Sequence, residues 1–132
     1  MTEDKKVPIS LLIPCKNEEN NLKRCIQSVK WIEEIFVVDS QSNDKTCEIA
    51  QEIGAKVVQF EYKGGWPKKK NWALENLPFS HDWVLILDAD ECLPPEAEDE
   101  IRKIVSNPHE NHSGYWINRR YFFLGRPLRH AY

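Results

Sequence analysis

The chain has 132 residues, with 18 Lys+Arg against 21 Asp+Glu and a formal net charge of −3. That length suits one domain spanning residues 1–132, able to bury roughly two-thirds of the surface its unfolded form exposes, so no disulfide or metal staple is required. With 41% apolar and 30% charged residues, the composition excludes a disordered chain. The absence of any apolar run near ~20 residues excludes a membrane span, and the lack of a basic excess speaks against a nucleic-acid binder.

The first six residues are polar and charged, unlike a secretory signal, so the expected address is cytoplasmic. Cys15, Cys25, Cys47 and Cys92 are dispersed, without a C-x-x-C pair. They read as small buried thiols in a reducing compartment rather than as a zinc or redox motif.

Four times a short apolar run is followed by a helical pattern. The first strand is predicted over residues 9–13, ended by Pro14. Asn17 is then placed to cap a helix whose apolar face is Leu22, Ile26 and Val29. The second strand, 35–38, ends at Asp39; Ile49, Ala50 and Ile53 mark the next helix, with Gly54 as its stop. A third strand covers 56–60. Gly64 and Gly65 form a hinge, and Pro67 sits at the first turn of a helix that carries Ala73, Leu74 and Leu77 and ends at Pro78. The fourth run, 83–87, is apolar on both faces, which predicts a central buried strand.

Asp88, Ala89, Asp90 and Glu91 follow directly. Pro94 and Pro95 then open a helix with Ala97, Ile101, Ile104 and Val105 that stops at Asn107 and Pro108. Its acids Glu96, Glu98, Asp99 and Glu100 read as a solvated face. From Ser113 onward there is no acid, while Arg119, Arg120, Arg126 and Arg129 interleave with Tyr115, Trp116, Tyr121, Phe122 and Phe123. Residues 114–118 are a further predicted strand and 125–127 a turn. Strand alternating with helix implies right-handed crossovers and a mostly parallel α/β sheet covered on both faces. No repeat, low-complexity tract or linker interrupts it.

In such sheets ligands bind beyond the carboxyl ends of the strands. The residues to read are therefore Pro14 to Glu18, Asp39 with Ser40, and Asp88 to Glu91. Asp88-Ala89-Asp90 places two carboxylates at i and i+2 past an apolar strand. Such a pair suits Mg²⁺ or Mn²⁺ when a substrate's phosphates supply the remaining oxygens. The plainer alternative is a turn preparing Pro94. Neither a dinucleotide fingerprint nor a P-loop is present, so phosphates would need a cation and basic side chains. Lys68, Lys69 and Lys70 are candidates, with a solvated helix start as the alternative.

Together these segments resemble the family 2 glycosyltransferases. Pro14-Cys15-Lys16-Asn17-Glu18, Val37-Val38-Asp39-Ser40 and Leu87-Asp88-Ala89-Asp90-Glu91 are similar to the family's three donor-site motifs, and Gly65 to Ala73 to its glycine and basic-Asn segment. The Trp66-to-Lys70 stretch and the Asp88-to-Glu91 ending also resemble the branch related to bacterial lipopolysaccharide-core β-glucosyltransferases. The resemblance implies the Rossmann-like GT-A fold and an inverting, metal-assisted transfer from a nucleotide-diphosphate sugar (a UDP- or GDP-sugar) to an acceptor hydroxyl.

By the same resemblance Pro14, Lys16 and Glu18 line the nucleotide pocket, Lys16 standing where an aromatic residue is common. Asp39 accepts hydrogen bonds from the base and Lys70 lies near the phosphates. Asp88 and Ala89 line the ribose and metal side, Asp90 is the direct metal ligand with Asp88 beside it, and Glu91 points toward the sugar. The acceptor is a saccharide or a lipid-linked one in cell-envelope polysaccharide or lipopolysaccharide synthesis. The family's general base is a carboxylate in its second half, and none occurs between Asn111 and Tyr132. The chain is thus expected to stop before the base and much of the acceptor half.

That leaves a catalytically incomplete nucleotide-sugar-binding module as the alternative. The arginine–aromatic tail suggests packing under the acceptor half of a longer chain, or peripheral contact with an anionic lipid-linked acceptor at the inner face of the membrane. A plain edge strand of solvated arginines is the alternative, and an open sheet edge suggests self-association. A haloacid-dehalogenase-type phosphatase fits less well. Its D-x-D belongs to the first strand with Thr or Val at the fifth position, whereas here the strand is the fourth and that position is Cys92.

Overall fold

The computed structural model describes residues 5–65, 67–106 and 114–115, and the backbone alone of residues 122–123 and 126–127. Four parallel strands, β1 (Val7–Cys15), β2 (Ile32–Asp39), β3 (Lys56–Gln59) and β4 (Val84–Ile86), form one sheet in the order β3-β2-β1-β4. Helices α1 (Leu22–Gln27), α2 (Thr46–Glu52) and α3 (Lys69–Asn76) make the three crossovers, and α4 (Pro95–Ser106) follows β4. A separate antiparallel pair joins β5 (Phe122–Phe123) to β6 (Arg126–Pro127).

The two-residue period of a strand divides the core between the faces of the sheet. Ile9, Leu11 and Ile13 of β1 pack with Leu22, Cys25 and Ile26 of α1, Ala50 of α2, and Ile101 and Val105 of α4. Leu12, pointing the other way, joins Val38, Phe60, Trp72 and Ala73 under α3. Leu11, Leu12 and Ile13 are all 0% exposed, and burying each such side chain contributes about 1.5–3 kcal/mol. Helices therefore cover both faces, as the alternation of elements predicts.

Among the described residues β2 and β1 are the interior strands, and β4 lies at an edge. Val84 and Leu85 are half-buried and Ile86 is 39% exposed, because among the described residues no strand pairs with the far side of β4. Apolarity on both faces marked burial correctly for β1 and overstated it for β4. β1 also runs through Pro14 to Cys15. Ser10 N–H donates to Trp83 O and Leu12 O accepts from Leu87 N–H, so even-numbered residues face β4. The missing N–H of Pro14 thus falls where that pairing, last seen at Leu12 with Ile86, has stopped.

Smaller differences have local causes. Asn17 does not cap α1, which begins at Leu22 after Asn21; Asn17 instead adopts a left-handed φ of 53° in the preceding turn. Pro67 lies just outside α3, whose N-cap is Lys68. Gly54, with φ 95°, ends α2 as expected. Glu98 is ion-paired with Arg102 at 2.9 Å, while Glu96, Asp99 and Glu100 are exposed. Gly114 and Tyr115 are not in a strand, and Tyr115 lies against Trp83 with ring centroids 5.6 Å apart. Residues 116–118 and Gly125 lie outside the described residues. Arg126 and Pro127 form β6 rather than a turn. Among the described residues no helix is long and apolar enough to cross a membrane.

One buried carboxylate ties the sheet together at the end opposite to the expected site. Glu34 of β2, 6% exposed, accepts from Ser10 Oγ (2.7 Å), Ser80 N–H (2.9 Å), Ser80 Oγ (2.8 Å) and Lys56 Nζ (3.0 Å). It thereby joins β1, β2, β3 and the turn before β4. Burial alone raises its pKa, but these donors outweigh burial and lower it from 4.5 to about 2. Its stabilising contribution is therefore complete above pH 4.5 and fades as pH falls toward 2. Glu34→Gln is expected to cost about 2–3 kcal/mol at neutral pH, read by urea denaturation, with the deficit shrinking in acid. An unchanged midpoint at pH 7 is the contrary result.

Candidate functional site

The loops after β1 and β2 are stitched to each other across the carboxyl edge of the sheet. Asn17 N–H donates to Ser42 Oγ (2.7 Å) and Asn43 N–H to Asn17 Oδ1 (2.8 Å). Glu18 N–H donates to Thr46 Oγ1 (2.9 Å), Glu19 N–H to Asp44 Oδ2 (3.2 Å) and Lys45 N–H to Glu19 Oε2 (3.0 Å). Short polar side chains supply the acceptors that free loop amides need. The hydroxyl of Thr46, itself wholly buried, also donates to Asp44, and these bonds hold the Asp44 carboxyl below the usual carboxylate range. The first expected segment is thus held rigidly beside the second: Pro14 is half-buried, Lys16 exposed, and half-buried Glu18 accepts from Asn21 Nδ2 at 3.0 Å.

Asp39, 0% exposed, is the hub of this edge. Oδ1 accepts from Ser42 Oγ and faces Cys15 Sγ at 3.7 Å. Oδ2 accepts from Ser42 N–H (2.9 Å), Gln59 Nε2 (2.9 Å) and Cys47 Sγ (3.2 Å). Burial alone raises its pKa, yet the bonds from Ser42, Gln59 and Cys47 prevail and keep it ionised below its ordinary range. The same burial, reinforced by the Asp39 charge, pushes the Cys15 thiol up to about 12. Cys25 is also raised to about 12, first by burial, so neither is a reactive thiolate at neutral pH. All four cysteines are free, but only Cys15 and Cys25 are buried as expected; Cys47 is half-buried at the start of α2 and Cys92 is exposed in the loop before α4.

Beside Asp39 two lysines divide their work. Half-buried Lys69 donates from Nζ to Cys15 O at 2.8 Å, which anchors the start of α3 to the end of β1. Burial lowers its pKa, against the opposing pull of Cys15 and Asp39. Exposed Lys70 reaches the other way, its Nζ 3.5 Å from Asp88 Oδ1. Ala89 is buried in the core, which leaves its neighbours Asp88 half-buried and Asp90 exposed. Glu91 turns back, its Oε1 accepting from Asp88 N–H at 2.8 Å and its own N–H donating to Asp88 O at 2.9 Å. Its carboxylate therefore stabilises the acidic turn rather than reaching outward toward a sugar.

Asp39, Lys70, Asp88 and Asp90 thus lie along one edge, with Pro14, Lys16 and Glu18 on the loop beside Asp39. The donor set of Asp88 and Asp90 fits a hard divalent cation, which takes one or two carboxylates and completes its shell with substrate phosphates. Among the described residues no cluster of three or more His, Cys, Asp or Glu forms an all-protein cage. Sequence reasoning passed over Ser42, Gln59 and the structural role of Lys69. Ser42, three residues after Asp39, carries the signature of an Asx turn; Gln59 becomes visible only once β3 pairs with β2.

A parallel sheet covered by helices on both faces, with acidic residues along its carboxyl edge, defines a Rossmann-like α/β domain. The sequence model of glycosyl transferase family 2 matches residues 10–131, and the chain belongs to that family. It is 43% identical over 104 residues to an uncharacterised glycosyltransferase of Rickettsia bellii, covering 78% of this chain and 34% of that protein. It is 32% identical over 124 residues to the lipopolysaccharide core biosynthesis glycosyltransferase LpsC of Rhizobium meliloti, covering 91% of this chain and 45% of that one.

Among solved structures it is similar to Mycobacterium tuberculosis glucosyl-3-phosphoglycerate synthase in complex with UDP. The TM-score is 0.54 at 28% identity, over 65% of this chain and 35% of that chain. The same enzyme with Mn²⁺, UDP and glucosyl-3-phosphoglycerate gives a TM-score of 0.52 at 28% identity, over 61% of this chain and 33% of that chain. The fold is the GT-A type. The chain spans between 34% and 45% of the length of these two curated relatives.

Proposed function

We propose that this chain forms the nucleotide-sugar side of an inverting, metal-assisted glycosyltransferase acting in cell-envelope polysaccharide or lipopolysaccharide synthesis. The observation that carries the reading is the alignment of Asp39, the Lys70–Asp88 ion pair at 3.5 Å and exposed Asp90 along one strand edge. Asp39 recognises the base of a UDP- or GDP-sugar, and the loop of Pro14, Lys16 and Glu18 forms the wall beside it. Lys70 neutralises phosphate charge, exchanging its contact with Asp88 for one with the ligand. Asp90, with Asp88 beside it and Ala89 seating the turn, would hold Mg²⁺ or Mn²⁺, whose chemistry is Lewis-acid compensation of the charge on the departing diphosphate.

Inversion also needs a base that deprotonates the acceptor hydroxyl on the opposite face of the sugar. That group is proposed to lie outside residues 1–132, since residues 111–132 contain no Asp or Glu. The same observation favours, as a second reading, a module that binds nucleotide sugar without transferring it.

Titrating UDP-glucose and GDP-mannose into the protein with and without Mn²⁺, while assaying sugar release, decides between them. Metal-dependent heat with release supports the transferase, and heat without release supports the module. No heat with either sugar overturns both. The proposed acceptor is a saccharide or a lipid-linked one, and the proposed location is the cytoplasm at the inner face of the membrane, with Arg119, Arg120, Arg126 and Arg129 as the candidate peripheral contact. Failure to sediment with anionic vesicles removes that contact. Self-association through the β4 edge belongs to the same proposal and is read by sedimentation velocity.

A further inference from the structure

Gln59, the last residue of β3, has its carboxamide engaged in both directions. Nε2 donates to Asp39 Oδ2 at 2.9 Å and to Cys47 Sγ at 3.2 Å. Oε1 accepts from the backbone N–H and the Nε2 of Gln41, both at 3.1 Å. Asp39 itself is wholly buried, and its other acceptor positions are filled from within by Ser42, Cys15 and Cys47. Gln59 and Gln41, in contrast, are exposed. The exposed donor on Asp39 is therefore the side chain of Gln59.

An amide N–H adjacent to a carbonyl is also the hydrogen-bonding edge of uracil and of guanine, where a ring N–H stands beside a C=O. Cytosine presents the opposite pattern at that edge, a bare ring nitrogen beside an amine. We propose that Gln59 occupies the base-recognition position of the nucleotide-free protein as an intramolecular stand-in for the base. An entering base displaces the carboxamide, gives its ring N–H to Asp39 Oδ2 and places its carbonyl on the Gln41 backbone N–H. Gln59, being exposed, swings into solvent and exchanges its bonds for water. An ionised Asp39, which can only accept, then rejects cytosine. This inference rests on the nucleotide-sugar reading above and adds what competes with the base and which edge is read.

The test titrates UDP, GDP and CDP, each with Mn²⁺, into the protein and into Gln59→Ala. The nucleotide that binds the parent is expected to bind the variant roughly three- to tenfold more tightly, about the worth of one net hydrogen bond no longer opposing it. CDP binding stays weak in both. Equal or weaker binding by Gln59→Ala shows that Gln59 supports Asp39 instead of competing for it, and overturns the inference while the nucleotide-sugar reading stands. Lack of binding of UDP and GDP to the parent overturns that reading itself. Should the variant not fold, the ¹⁵N-edited signal of the Gln59 side-chain amide in the parent decides. It is expected to move to a solvent-exposed shift on saturation with nucleotide, and a signal that does not move overturns the displacement.

Discussion

Asp90→Asn is expected to remove the gain in UDP affinity that Mn²⁺ confers and to leave the fold intact. Asp90 is exposed, one residue beyond the buried Ala89 that seats the turn, so a neutral isostere there should change stability by no more than about 0.5 kcal/mol. Its proposed work is to supply a charged oxygen to a hard cation, and a carboxamide oxygen is a far weaker ligand. Loss of a residue that merely orients a ligand costs roughly 10- to 100-fold in metal affinity, so a direct ligand costs at least as much. Calorimetric titration of UDP with and without Mn²⁺ reads the effect. Parent and variant should bind alike without metal and differ by roughly a hundredfold with it. Equal affinity in Mn²⁺ would mean that the cation is held elsewhere or not at all. Asp88 is a less clean test, because its carboxylate is already paired with Lys70.

Asp39→Ala should have the opposite character, destabilising the protein before any ligand is added. Its own atoms are wholly buried, and its carboxylate gathers Ser42 N–H and Oγ, Gln59 Nε2 and Cys47 Sγ. Truncation leaves the half-buried Ser42 and Cys47 donors without that acceptor, while exposed Gln59 can turn to water, at a cost of about 2–3 kcal/mol. The pH dependence follows from the lowered pKa. In the unfolded chain Asp39 titrates near 3.8, and in the folded protein below that. Its contribution is thus fully present above 3.8 and is lost as pH falls through that value toward the folded pKa. Urea midpoints of parent and variant should differ most at neutral pH and converge in acid. Glu34 titrates in both proteins and cancels from the comparison. A gap that stays constant down to pH 2 would show that packing, not charge, is what Asp39 contributes.

Much of this edge was legible beforehand because it is written locally. Asp39 follows directly on a β-branched run, Asp88 and Asp90 follow another, and in a parallel sheet such endings share one edge. Gly54 as a helix stop and the alternation of strand and helix are similarly local signals. The failures were those that depend on neighbours. Asn17 has the chemistry of a cap, but Ser42 and Asn43 offer it partners in the adjacent loop, and the turn forms there instead. Glu91 belongs to the acidic ending by sequence, yet its carboxylate accepts from the amide of Asp88, three residues back.

Local patterning in the sequence was enough for the alternation of four strands and four helices up to Ser106, for the family and for the acidic residues at the strand ends, because side-chain period and turn chemistry act over a few residues. It missed β5 and β6. Tertiary structure alone decided that, among the described residues, β1 and β2 are interior and β4 lies at an edge, since burial of a strand depends on what pairs with both of its sides. It also decided that Asp39 is buried beneath the exposed side chain of Gln59. Those two residues are twenty positions apart and meet only because β3 pairs with β2 in the register that sets Asp39 beside Gln59.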